Sequence, residues 1–167
     1  MKKHIPLLLS ILIAGCIDQG HHQDVGDIPF DRAMDDPDFN LCGEESSIKQ
    51  YYVRGSDHKP AGYKGEKRAL EEAITEQYVF PVSESESGYV TIRFVVNCRG
   101  QSGRFRVEKM DFNYQPKNFN PELVQQLLDI TRNLNGWIPV SREGKTYDFY
   151  QYLTFKIRNG QIEKILP

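Results

Sequence analysis

Three segments of this chain alternate apolar and polar side chains with the two-residue period of a β-strand, and they decide the class of fold open to it. In Tyr89–Val96, residues Val90, Ile92, Phe94 and Val96 share one side. Arg104 to Phe112 alternates again, and Asn97-Cys98-Arg99-Gly100 between them is a turn signal, so the pair predicts a hairpin. In Tyr147 to Arg158, residues Tyr147, Phe149, Gln151, Leu153, Phe155 and Ile157 oppose Asp148, Tyr150, Tyr152, Thr154, Lys156 and Arg158. Asn159-Gly160 predicts a type I′ turn, with Gln161 to Leu166 returning as a short edge strand. Helices are predicted from Glu66 to about Tyr78 and from Pro121 to about Asn133. Ala69, Leu70, Ala73, Ile74 and Tyr78 line one face of the first. Asn120 is a good N-cap for the second, and Gly136 is placed to end it. The order helix, hairpin, helix, strand pair points to the α+β class: a small antiparallel sheet with two helices packed on one face. Tyr150 and Tyr152 then belong to the other face.

A length of 167 residues suits one domain, and 39% apolar residues can supply a core of moderate size. With 21 basic and 23 acidic residues the net charge is −2. That balance gives no basic footprint, so no nucleic-acid partner is expected. Three cysteines exclude a disulfide-dense miniprotein and a four-thiolate zinc site.

The amino terminus reads as an address. Lys2 and Lys3 precede an apolar run from Ile5 to Gly15. Such a run rises about 16 Å as a helix, too short to span a bilayer and suited to a signal peptide over residues 1–15. It ends in Ile13-Ala14-Gly15-Cys16, which resembles the lipobox of bacterial lipoproteins, so the Cys16 thiol is the expected lipidation site. The mature chain would carry 19 basic and 23 acidic residues, a net charge of −4. Ile17 rather than Asp follows the cysteine, which favours the outer membrane, with the domain facing the periplasm. Residues 16–40 hold Asp18, Asp24, Asp27, Asp31, Asp35, Asp36 and Asp38 against Arg32 alone, with apolar residues scattered without period. They read as a flexible acidic tether, with the domain over 41–167. Metal binding by His21, His22 and these aspartates is disfavoured, because the EF-hand spacing and its glycine are missing.

Residues 65–158 resemble the carboxy-terminal domain of TonB, the periplasmic energy transducer. The pieces are the helix Glu66–Tyr78, Phe80-Pro81, Gly88 to Asn97, Gly100, Val107, the helix Pro121–Asn133, Trp137-Ile138-Pro139 and Gly144-Lys145. With the Cys16 anchor and the Asn97–Gly100 turn, the chain is similar to a lipoprotein branch of that family in the Bacteroidetes. The resemblance implies two helices on a three-stranded antiparallel sheet. It also implies a binding mode: an extended partner peptide joins an exposed sheet edge as an added strand. The resemblance also implies homodimers through the same edge. TonB proteins span the inner membrane and carry a long Pro-rich spacer. This chain shows neither, so energy transduction is not expected. The candidate edge is Tyr147–Arg158 or the tail Gln161–Leu166, with Tyr150, Tyr152, Thr154, Lys156 and Arg158 as candidate partner-binding residues.

With Cys16 acylated, Cys42 and Cys98 remain. An even pair in an oxidising compartment predicts a disulfide, two free thiols being the alternative. Catalysis is not expected. There is no nucleophile elbow, phosphate loop or paired-histidine motif, and His58 sits beside Asp57 in a turn-rich stretch. No cofactor is expected. The function that follows is a lipid-anchored interaction module, docking a protein or peptide of the envelope such as a component of nutrient uptake. A structural or assembly lipoprotein is the alternative.

Overall fold

A computed structural model describes residues 27–49, 58–59, 62–79 and 86–166. The signal segment, Cys16, the first part of the tether, the Phe80-Pro81 pair and the His58 side chain lie outside the described residues. Along the chain run β1 (His58–Lys59), β2 (Gly62–Tyr63), α1 (Glu66–Thr75), β3 (Gly88–Val96), β4 (Ser102–Met110), α2 (Pro121–Asn133), β5 (Trp137–Ile138), β6 (Val140–Arg142), β7 (Lys145–Tyr147), β8 (Phe149–Arg158) and β9 (Gln161–Leu166). The main sheet is antiparallel in the order β4-β3-β8-β9. Two small sheets, β1-β6-β7 and β2-β5, flank it. The fold is α+β, with antiparallel sheets and two α-helices among the described residues.

Both helices cover one face of the main sheet. Leu70 and Ile74 of α1 are one turn apart and buried. Leu123, Leu127 and Ile130 form the stripe of α2, continued by Leu134. They meet Val90, Ile92 and Phe94 of β3 and Leu153, Phe155 and Ile157 of β8 in one apolar cluster. Helix α2 starts as the sequence predicts, because the Asn120 side chain accepts a hydrogen bond from the Glu122 N–H and Pro121 needs no donor. Helix α1 ends at Thr75, one turn earlier than expected, and Tyr78 turns inward instead. Its hydroxyl donates to the Gly160 carbonyl, and burial pushes its pKa up to about 12.

Three expectations change. First, the sheet has four strands rather than the three that the resemblance implies, and the fourth is the predicted return strand Gln161–Leu166, paired along β8. Second, the long strand begins at Phe149. Tyr147 pairs with Val140 in the β6–β7 hairpin, and Asp148 marks the break.

Third, the tether reading fails for residues 27–40. They continue into 41–49 as a strap across the sheet face opposite the helices. Ile28 and Ile48 are buried against Val95, with Phe39, Leu41 and Tyr150 packed around them. Phe39 lies so close over Gly103 that an added Cβ would overlap its ring. The strap's acidic side chains meet arginines from the hairpin. Arg106 binds Asp35 through both terminal nitrogens, at 2.7 and 2.9 Å, and donates to the Pro29 carbonyl. Arg104 binds both Glu45 oxygens at 2.7 Å. Arg93 reaches the Asp27 carbonyl. These bidentate pairs compensate charge that the strap's own composition leaves unbalanced.

Candidate functional site

Cys42 and Cys98 are joined, with an S–S distance of 2.15 Å and 5.9 Å between Cα atoms. The bridge pins the strap to the β3–β4 turn. Beside it lies Asp148, 2% exposed. One carboxylate oxygen accepts the N–H groups of Cys42 (2.9 Å) and Gly43 (3.0 Å), and the other accepts that of Cys98 (2.8 Å). One side chain thus satisfies main-chain donors on both sides of the disulfide. Although the Cys42, Cys98 and Asp148 donor atoms lie within 4.8 Å of one another, the sulfurs are consumed by their bond. In the sequence Asp148 was only one polar member of an alternating strand.

The candidate binding residues of β8 do not form an edge. Phe149–Ile157 pair with β3 on one side, and Thr154–Arg158 pair with β9 on the other. At the start of β8, Lys49 forms a parallel bridge to Phe149, and its carbonyl accepts the Tyr150 N–H at 2.9 Å. The Tyr152 N–H donates to the Gln151 side chain. An antiparallel hairpin partner and the strap therefore take up the strand that sequence reasoning left open.

The same five side chains do share the face away from the helices, but in two environments. Tyr150 lies under the strap, where burial raises its pKa, with a further contribution from the Asp27 charge. Thr154 exchanges a hydrogen bond with Thr91 at 2.9 Å. Beyond the strap, Lys156 and Arg158 both bind Glu163 of β9, at 3.0 and 2.7 Å, and their hydrogen bonds hold its carboxyl below the usual range. Both cations also stand over the Phe112 ring. Phe112 meets Tyr89 edge-on, and Tyr114, 70% exposed, stacks on Tyr89 with ring centroids 5.7 Å apart. Tyr114 is held at φ +61° by a tight loop in which the Asp111 side chain accepts the Asn113 and Gln115 N–H groups. The alternating segments read from the sequence take in Tyr89 and Phe112, but the strand ends at Met110, and Tyr114 lies in a loop that no period announces.

The two true edges of the main sheet differ. Along β4, the Arg106 guanidinium takes the Phe105 carbonyl, and the Lys117 N–H takes that of Lys109. A bridge from Met110 to Pro116 closes its end. Along β9, no main-chain partner occupies the outer side among the described residues. Its register slips between Lys156 and Ile157, leaving Glu163 as one extra residue in a β-bulge. The candidate site is therefore this six-residue border, flanked on one face by the Lys156–Glu163–Arg158 network. No protein-family model, curated protein or solved structure matches the chain.

Proposed function

We propose that this protein is a lipid-anchored interaction module of the cell envelope, held at the outer membrane through Cys16. In this reading a protein or peptide partner joins the sheet as an added strand on the outer side of β9. The observation that carries it is the outer border of Gln161–Leu166, unpartnered among the described residues, while the opposite border, along β4, is occupied by loop and guanidinium groups. Main-chain hydrogen bonds would supply affinity, and the flanking side chains selectivity. The likeness of residues 65–158 to the TonB carboxy-terminal domain supports the same mode. Amide hydrogen exchange tests it. The Ile162 and Ile165 amides should exchange fast in the isolated protein and slowly in envelope membranes that contain it. Equal rates in both settings sink the reading. Acyl labelling that survives Cys16→Ser removes the anchor.

A second reading, a structural or assembly lipoprotein without peptide binding, draws on a separate observation. The tail that could have been recruited into a partner's sheet already pairs with β8 at every residue except the bulged Glu163. It predicts fast exchange at Ile162 and Ile165 in both settings, together with envelope defects on deletion.

A further inference from the structure

We propose that Lys49, Tyr147 and the tip of the β6–β7 hairpin form a corner that docks on anionic phospholipid headgroups, laying the domain against the membrane that holds Cys16. The inference rests on the anchored reading above and adds a second point of attachment to it.

The hairpin tip is built by its turn. Glu143 at φ +51° and Gly144 at φ +78° reverse the chain between β6 and β7. A Cβ added to Gly144 would touch nothing, so the tip stands clear of the domain. The register sets Arg142 directly opposite Lys145. Side chains opposed in this way share a face, and like charges there repel. The acid at the tip, Glu143, meets Arg142 at 3.4 Å.

Behind the tip, the Tyr147 ring carries two ammonium groups, Lys49 at 5.2 Å and Lys145 at 5.4 Å from its centre. Neither lysine has an ion-pair partner among the described residues. Arg142 and Lys145 are exposed, and Lys49 and Tyr147 are half-buried. Three cations thus stand with Glu143 at one corner of a chain whose net charge is −2. Asp148 is buried, with both oxygens engaged by N–H groups at the disulfide. A phosphodiester headgroup supplies the anion that this corner lacks. Tyr147 suits the boundary above the acyl chains, where an aromatic ring packs against apolar groups and its hydroxyl stays wet.

The chain that leads to the anchor leaves from the same corner. The strap begins at Asp27 and ends at Lys49, and Tyr150 joins its two ends. The Tyr150 hydroxyl meets Asp27 and the Ile28 main chain, while its N–H donates to the Lys49 carbonyl. One tyrosine side chain therefore separates the start of the strap from the cations. Eleven residues carry the chain from Cys16 to Asp27, at most about 40 Å. An acylated copy thus holds this corner close to the bilayer, which raises the effective concentration of headgroups around it. Each cation near an anionic leaflet is worth about fivefold in binding, so three of them are weak alone and effective beside an anchor. The strap's Asp35 and Asp36 do not oppose the contact. They lie over Ser102–Phe105 of β4, on the far side of β3, and Asp35 is matched by Arg106.

Amine footprinting tests the corner. The protein purified from envelope membranes is added to preformed vesicles of phosphatidylcholine, or of phosphatidylcholine and phosphatidylglycerol in equal parts, and labelled with a membrane-impermeant amine reagent. Lys49 and Lys145 should label about fivefold more slowly on the mixed vesicles. Lys67 of α1, half-exposed, should label alike on both and serves as the internal standard. Equal rates at Lys49 and Lys145 on the two vesicles overturn the proposal. Slowing that inorganic phosphate reproduces on phosphatidylcholine vesicles overturns the membrane and leaves a site for a free anion. Arg142→Gln with Lys145→Gln should abolish the slowing at Lys49, with thermal melting matched to wild type. Slowing that persists at Lys49 in this variant shows that something other than the corner shields it, and overturns the proposal. Flotation separates the anchor from the corner. Wild type that does not float with phosphatidylcholine vesicles removes the anchor alone, and its Lys145 labelling against excess mixed vesicles still decides the corner.

Discussion

Replacing Asp148 by Asn turns one carboxylate oxygen into an NH2 group at nearly constant volume. In the better amide orientation the remaining oxygen keeps the Cys42 and Gly43 N–H groups, and the new NH2 confronts the Cys98 N–H, whose partner oxygen stood at 2.8 Å. A stranded buried donor costs about 1–3 kcal/mol. The two retained bonds lose their charge assistance, about 1 kcal/mol each. The expected loss is about 3–5 kcal/mol, a large part of the total stability of a domain this size. Removing the neighbouring disulfide, which spans 56 residues, costs about 4 kcal/mol in the chain-entropy account. The two losses should not add. Once the bond between Cys42 and Cys98 is open, the strap end can carry its N–H groups to water, and the carboxylate has less to hold. A coupling of about 0.5–3 kcal/mol is expected for groups in such contact. Equilibrium urea unfolding checks this, with Trp137, the single tryptophan and 5% exposed, as the fluorescent reporter. A loss under about 1 kcal/mol, or strict additivity with reduction, would show that the carboxylate is not the clasp.

Gly103→Val should displace the strap, because any Cβ there overlaps the Phe39 ring. Overpacking of this kind costs about 1–3 kcal/mol, and limited proteolysis should newly cut between Asp27 and Leu41 while the disulfide holds the rest. Asp35 gives a pH-dependent arm. Its Arg106 hydrogen bonds hold its carboxyl below the ordinary value of 3.8, against the opposing effect of burial. A depressed folded pKa means stability that is present above the unfolded value and lost as pH falls below it. Acid titration of Asp35→Asn should therefore show a shallower loss below about pH 4 than wild type. Parallel acid limbs would remove this pair from the account.

The helix faces and strand alternation were legible because period and burial coincide in α2, β3 and β8. The hairpin turn and the Asn120 cap were legible for similar local reasons. The strap was not. Its aspartates look unbalanced when counted within residues 16–40, yet Asp35 pairs with Arg106, 71 residues away. A local charge count cannot see compensation that only the hairpin's position supplies. Composition also hid Ile28, one apolar residue without periodic neighbours, which is 1% exposed. The interior place of β8 was half legible. Asn159-Gly160 signalled the return of β9, but the slip that inserts Glu163 has no turn residue to announce it.

That slip bears on how the border stays selective. Sheet edges invite indiscriminate pairing, and proteins guard them with short strands, charges and bulges. β9 has all three: six residues, Glu163 and Lys164 side by side, and a bulge between Ile162 and Lys164. Against a generic apolar strand, this charged pair would lose water without gaining a partner, which opposes pairing. Against a strand that offers a cation and an anion in reversed order, the same pair is satisfied twice. Deleting Glu163 would restore regular alternation and leave Lys156 and Arg158 without their shared anion. The edge would then be shorter and regular, with its charges unbalanced, so one inserted residue supplies both the bulge and the anion that guard this border.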